Sequence, residues 1–198
     1  MPKKIILFSQ PDPAVMAQIT SEIFPDFTEN KIFAYMPSDG GDIVANAQYT
    51  PFWQDLTAKN NAHFVFIDNS KTGEESKLLT ANILMITGGN TFKLLKNLRD
   101  SGLDQAILQF WQKDGVVMSG FSAGAIILTP NIAVAGLGVV PDPNDVGLAD
   151  LTALGILDFE IWPHYNETLE KQDADDHEAK SRVKLHRLKN DEILIINK

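Results

Sequence analysis

Short apolar runs, each closed by turn residues and each followed by helix-spaced apolar positions, constrain this chain more than any other feature of its sequence. The runs fall at residues 3–8, 31–36, 63–67, 83–87 and 116–119. Asp12 before Pro13 has the pattern of an N-cap followed by proline at the first helical position, and Val15, Ile19, Ile23 and Phe24 then recur at helical spacing. Further helices are expected at 51–59, over a turn or two at 74–79, at Phe92, Leu94, Leu95 and Leu98, at 103–111 after the break at Gly102, and at 123–128. Strands apolar on both faces and alternating with helices make a parallel sheet covered on each side. The expected fold is therefore α/β: a three-layer, doubly wound, mostly parallel sheet with helices on both faces. At 198 residues the chain is expected to form one domain, 1–198. Its last third differs. Residues 131–150, rich in Gly, Pro, Asn and Asp, read as a long loop that could close over a site. Residues 159–162 read as a short strand, 167–184 as a charged helix and 193–196 as a closing strand.

Composition narrows the function. The chain has no cysteine, which removes disulfides, thiolate metal sites and cysteine nucleophiles together. Its formal net charge of −9 repels phosphate backbones and anionic membranes, so no nucleic-acid or membrane partner is expected. The N-terminal apolar stretch is too short for a signal peptide, and no run reaches the length of a membrane span. The expectation is a soluble cytoplasmic protein, monomer or homodimer.

The chemistry concentrates at Gly120-Phe121-Ser122-Ala123-Gly124, a G-x-S-x-G sequence between an apolar strand and an apolar helix start. That context is the strand–turn–helix of a nucleophile elbow, in which the serine hydroxyl stands clear of the sheet edge. The Ala123 N–H, at the start of the following helix, is then placed to bind an oxyanion. A serine that merely caps the helix fits the same residues. Gly88-Gly89-Asn90-Thr91 closes the preceding strand, whose end should neighbour the elbow. Gly88 or Gly89 could give a second oxyanion N–H; a plain turn with Asn90 or Thr91 as N-cap is the alternative. Among the four histidines, His63 lies within an apolar run and is expected in the core. His177 sits in an acidic helical stretch expected to be solvated, and His186 in a basic stretch expected at the surface. His164 follows Phe159-Glu160-Ile161-Trp162-Pro163 at a strand end, where a base for Ser122 belongs, although a structural histidine fits there too.

Three segments in order, Ile86-Thr87-Gly88-Gly89-Asn90-Thr91-Phe92-Lys93-Leu94-Leu95, Gly120-Phe121-Ser122-Ala123-Gly124-Ala125 and Pro163-His164-Tyr165, resemble the signatures of the peptidase E (aspartyl dipeptidase) and cyanophycinase family. The resemblance implies a class I glutamine-amidotransferase-like fold and a serine peptidase for small peptides, most of all dipeptides with N-terminal aspartate. It implies Ser122 as nucleophile and His164 as base. Oxyanion and substrate contacts fall on Gly88, Gly89, Asn90 and Ala123, with no metal and no cofactor. The family's triad acid maps near the last strand, where Glu192 is the first choice and Asp191 the second. Asp142, Asp150 or Asp158, or a Ser–His dyad, come next. Asp142 is also the nearest match to an acidic residue tied to substrate choice in the family. Rival readings are another serine hydrolase or acyl transferase on this scaffold, or a non-catalytic small-molecule binder.

Overall fold

The computed structural model describes residues 3–24 and 31–198, which include every candidate site residue. Strands β1 (Lys4–Phe8), β2 (Lys31–Met36), β3 (Ala62–Phe66), β4 (Ile83–Ile86), β5 (Val117–Phe121) and β8 (Ile193–Asn197) form a six-stranded sheet in the order β3-β2-β4-β5-β1-β8. All neighbouring pairs are parallel except β1 with β8.

Side-chain alternation along each strand builds two cores. Ile6, Phe8, Phe33, Tyr35, Ile83 and Met85 pack on one face against α1 (Pro13–Ile23) and against Trp53 of α2 (Thr50–Lys59). Ile5, Leu7, Ala34, Met36, Leu84 and Ile86 point the other way. There they meet α3 (Glu75–Thr80), α4 (Thr91–Ser101), α5 (Leu103–Gln112) and α6 (Ala123–Ile126). The three-layer doubly wound architecture expected from the sequence is the one observed. The Asp12 carboxylate accepts from Ala14 N at 2.8 Å and Pro13 opens α1, as the N-cap pattern indicated.

The last third adds a second, smaller sheet, of which the sequence showed the first strand and the helix but not the strand that pairs with it. Strand β6 (Glu160–Trp162), helix α7 (Glu167–Ser181) and strand β7 (Leu185–Arg187) form a separate parallel pair with its own crossover helix. The charged helix stops at Ser181, short of the expected 184, because Arg182 adopts a left-handed conformation at φ 58° and turns the chain into β7. Strand β6 lies within the short strand expected at 159–162, whereas β7, three residues long, carries too little alternation to be read from sequence. Helix α7 is polar on nearly all sides, and Glu170 and Ala174 are its buried positions. Asn166 caps its start by accepting from Thr168 N and Leu169 N, and Arg187 of β7 bridges to Asp175 and Glu178 on its flank. His63 is exposed rather than packed in the core, because β3 is the edge strand. No helix among the described residues is long and apolar enough to cross a membrane.

The tightest packing lies where β4, β5 and α6 meet. A Cβ on Gly120 would run into the carbonyl of Gly124, and one on Gly124 into the carbonyl of Ile86. Backbone occupies those positions and cannot swing aside as a side-chain end could. Gly124→Ala is therefore expected to destabilise the fold by about 3 kcal/mol, lowering Tm by roughly 6–12 °C in a thermal melt. An unchanged Tm would contradict this packing.

Candidate active site

Strand β5 ends at Phe121 and α6 begins at Ala123, so Ser122 is the whole turn between them. It holds φ 51° and ψ −117°, a conformation that costs a non-glycine residue about 1–3 kcal/mol. Packing imposes it: Ser122 N donates to Phe8 O at 3.2 Å, and Gly124 N to Thr87 O at 3.1 Å. The turn is thus clamped between the ends of β1 and β4. The Ala123 N–H, first of α6, has no hydrogen-bond partner among the described residues, and neither has the N–H of Gly88 or Gly89.

His164 closes the loop after β6 and also takes a left-handed conformation, φ 58°. Its Nε2 lies 3.1 Å from Ser122 Oγ, and its Nδ1 lies 2.7 Å from Asn190 Oδ1. An amide oxygen only accepts, so Nδ1 carries the proton and Nε2 turns its lone pair to the serine hydroxyl. The loop is held by Ser9, the residue after β1. The buried Ser9 hydroxyl donates to Leu188 O at 2.9 Å and accepts from His164 N at 3.0 Å. Leu188 O also accepts from Tyr165 N at 2.9 Å.

The expected carboxylate is not at the imidazole. Glu192 turns back and accepts from Lys189 N at 2.9 Å, closing the tight turn before β8. Neither Glu192 nor Asp191 contacts His164; the residue just before them, Asn190, does. The sequence reading sought a charge, yet a neutral amide meets the same geometric need. Asp150 is engaged elsewhere, bridging to Arg99 at 3.0 Å and accepting from Thr152 N, which with Arg99 lowers its pKa. Asp158 is exposed.

The glycine turn after β4 lies beside the elbow. A Cβ on Gly88 would meet the Phe121 ring and, at 3.1 Å, Ser122 Cβ; Gly89, at φ 146°, has Ser38 Oγ where a Cβ would stand. Backbone at these positions approaches Ser122 because no side chain intervenes. Asn90 serves as the N-cap of α4, accepting from Lys93 N at 2.8 Å, while its Nδ2 donates to Pro143 O. Both ends of its amide are thereby engaged in holding structure rather than turned to a ligand.

Ser122 and His164 open onto a cavity of about 480 Å³. Its far wall is the 131–150 segment, expected as a plain loop but containing a 3-10 turn, Ala133–Gly136, with Val134 buried. The segment is tied down. Asp142 Oδ2 accepts from both Thr91 N and Thr91 Oγ1, and buried Glu170 accepts from Val139 N and Asn166 N. Gly138, at φ 83°, passes so close to Glu170 and Trp162 that no side chain fits. A second cavity of about 810 Å³ lies by Gly88 and Gly89, lined with Tyr35, Tyr49, Phe52, Trp53 and Phe121. Burial, with Tyr49 adding to it, pushes the Tyr35 phenol up to about 12, so it stays neutral.

The remaining histidines depart from expectation. His177 is not solvated: its Nε2 lies 2.6 Å from Glu160 Oε2 in a pocket under Trp162, the two side chains 10% and 3% exposed. His186 packs against Phe159 with the ring centroids 4.4 Å apart and the planes tilted by 54°, and burial lowers its pKa, with Lys184 adding to the effect. Neither approaches Ser122. Ser9 and Asn190 are the residues that sequence reasoning missed. Asn190 had a usable signal, an acceptor side chain in the turn already singled out; Ser9 had none.

Known proteins resemble this chain in sequence and in fold. An uncharacterized peptidase of Listeria monocytogenes serovar 1/2a is 40% identical over 93 residues, 47% of this chain and 44% of that one. Peptidase E of Citrobacter koseri is 33% identical over 129 residues, 62% of this chain and 54% of that one. The aligned stretches thus span about half the length of these relatives. A crystal structure of a candidate peptidase E from Listeria monocytogenes EGD-e superposes with TM-score 0.72 at 25% identity, covering 100% of this chain and 98% of that one. The structure of a peptidase from an acI-B1 actinobacterium shares the fold, with TM-score 0.67 at 21% identity over 99% of this chain and 84% of that one. The family model for peptidase family S51 matches residues 14–198, taking in the glycine turn, the elbow, the His164 loop and the Asn190 turn, and the chain belongs to that family.

Proposed function

We propose that this protein is a serine peptidase that hydrolyses short peptides bearing a free N-terminal amine, in the reducing cytoplasm that its cysteine-free sequence suits. The observation that carries the reading is the 3.1 Å contact between Ser122 Oγ and His164 Nε2 at a strained elbow. Strain at one serine whose hydroxyl meets an oriented imidazole has an obvious chemical use and no evident structural one.

In this reading Ser122 Oγ attacks the scissile carbonyl carbon while its proton passes to His164 Nε2. The resulting oxyanion is held by N–H groups of Ala123 and the Gly88–Gly89 turn, which have no other partner among the described residues. Collapse breaks the C–N bond, and the imidazolium gives its proton to the leaving amine. Water, reaching the exposed imidazole, then loses a proton to Nε2 and attacks the acyl-serine ester; collapse breaks the bond from the acyl carbon to Ser122 Oγ, and the imidazolium returns its proton to that oxygen. Asn190 holds the Nδ1–H tautomer throughout and aligns the developing imidazolium by dipole rather than by charge. Asp142, with one carboxylate oxygen fixed by Thr91, leaves the other for the substrate ammonium. Dipeptides with N-terminal aspartate are the finer form of this reading.

An active-site-directed fluorophosphonate should label Ser122, located by peptide mapping, and Ser122→Ala should lower kcat on the order of a million-fold with the fold intact. A variant that keeps more than a few per cent of the activity would overturn the reading.

The positioning role separates Asn190 from its neighbours. Asn190→Ala should lower kcat by about 10–100-fold with little change in KM, the worth of one hydrogen bond to a group that becomes charged during the reaction. Glu192→Gln and Asp191→Asn should each keep kcat within about twofold, since neither side chain touches the imidazole. Steady-state kinetics on the three variants checks the assignment.

A further inference from the structure

We infer that Ser38 is a positioning residue of the serine-peptidase reaction proposed above: its hydroxyl fixes the Gly88–Gly89 peptide so that the Gly89 N–H faces the oxyanion formed at Ser122. Ser38 acts through that peptide and not on the substrate.

The placement follows from strand register. Strand β4 lies between β2 and β5, with Met36 opposite Ile86 and Ile86 opposite Gly120. Two residues further along each chain, the same row reads Ser38, Gly88 and Ser122. On the β2 side, Ser38 Oγ donates to Gly88 O at 2.6 Å, and Thr87 Oγ1 lies 3.1 Å from the same oxygen. On the β5 side, a Cβ on Gly88 would stand 3.1 Å from Ser122 Cβ. The Gly88 carbonyl is thus drawn toward β2. No peptide bond among the described residues is cis, and in a trans peptide the N–H points opposite to the C=O. The Gly89 N–H is therefore turned toward β5, where Ser122 stands, and it has no partner among the described residues. The preceding peptide is set the other way. Thr87 O accepts from Gly124 N at 3.1 Å, so the Gly88 N–H points away from α6. Of the two glycines, Gly89 is then the one that can donate to the oxyanion.

Two adjacent glycines would not keep this orientation unaided. Neither has a Cβ to restrict its dihedrals, and Gly89 sits at φ 146°. A rotated 88–89 peptide would present the Gly88 oxygen to the oxyanion and replace an attraction by a repulsion. The Ser38 hydroxyl selects the productive orientation. Ser38 is itself held: it is 1% exposed, its N–H donates to Thr87 Oγ1 at 3.1 Å, and its carbonyl accepts from Asn69 Nδ2 at 3.2 Å. The neighbouring Asp39 carboxylate accepts from Asn90 N at 3.2 Å and closes the far end of the glycine turn.

Ser38→Ala removes the donor and leaves Ser122, His164 and Asn190 unaltered. The second-order rate of fluorophosphonate labelling at Ser122 should fall by about 10–100-fold, because the phosphoryl oxygen takes the oxyanion position. On the dipeptide Asp-Leu, kcat should fall by a similar factor with KM within about twofold. The ionisation in the pH profile of labelling should stay where the wild-type protein has it, since the imidazole keeps its partners. Ser38→Cys, whose thiol is a weaker donor to the same oxygen, should fall between alanine and wild type. It carries the test if a thermal melt shows Ser38→Ala unfolded, and the labelling rate decides if Asp-Leu is not cleaved. An unchanged labelling rate in the folded variant, a loss carried by KM alone, or a displaced ionisation overturns the inference. If the wild-type protein is not labelled at Ser122, the serine-peptidase reading falls as well. If it is labelled and the variant reacts as fast, only the role of Ser38 falls.

Discussion

The active-site geometry depends on a steric exclusion: backbone must touch backbone where β4, β5 and α6 converge. Gly120 and Gly124 leave no Cβ in that space, the Gly124 N–H reaches the Thr87 carbonyl, and Ser122 is left as the residue that turns the chain between strand and helix. The strained dihedrals of Ser122 follow from this contact. So does the nearness of the Gly88–Gly89 backbone, since β4 and β5 are adjacent parallel strands whose carboxyl ends open at the same edge. Ligand sites gather at such edges because the strand ends present free backbone groups and helix starts together.

A second constraint joins two sheets that share no strand. The small β6–β7 sheet carries His164 and leads on to Asn190, whereas the main sheet carries Ser122. Their relative position is fixed in part by the Ser9 hydroxyl, which bonds the His164 N–H and the Leu188 carbonyl at once. Beneath this contact the His177–Glu160 pair ties α7 to β6. The histidine that reaches the serine is thus supported by another histidine that never approaches it. The antiparallel return of β8 along β1 completes the arrangement, bringing the Lys189–Glu192 turn next to the end of β1 and therefore next to Ser9.

Charge acts on a different scale. The chain carries a net −9, and three of its carboxylates line the two cavities: Asp142 and Glu170 in one, Asp39 in the other. Each is bonded to backbone N–H groups, in part or in full, and so serves the architecture of the loops as well as their field. Carboxylates beside apolar walls act through little screening water, so their field at the opening is stronger than the same charges would give in bulk solvent.

The sequence by itself determined the layers, the elbow and the partner histidine. Alternating apolar runs and helical spacing are local signals, strong over the first 128 residues, and the β1–β5 core follows them closely. G-x-S-x-G is legible because the residues that make the turn are adjacent in the chain. The His164 assignment came from position relative to a strand end, again a local property. Tertiary structure decided the rest. The exposure of His63 depends on which strand ends up at the edge, and the burial of His177 on which residue of β6 faces α7. The choice of Asn190 over Glu192 depends on how a four-residue turn is closed: Glu192 spends its carboxylate on Lys189 N, which leaves the amide two residues earlier pointing at the imidazole. Ser9 stands 155 residues from His164, and no local pattern encodes a hydrogen bond across that separation. Such contacts exist only once the sheet has brought distant strand ends together, so the serine turn was written locally while the orientation of the histidine beside it and the cavity around them were not.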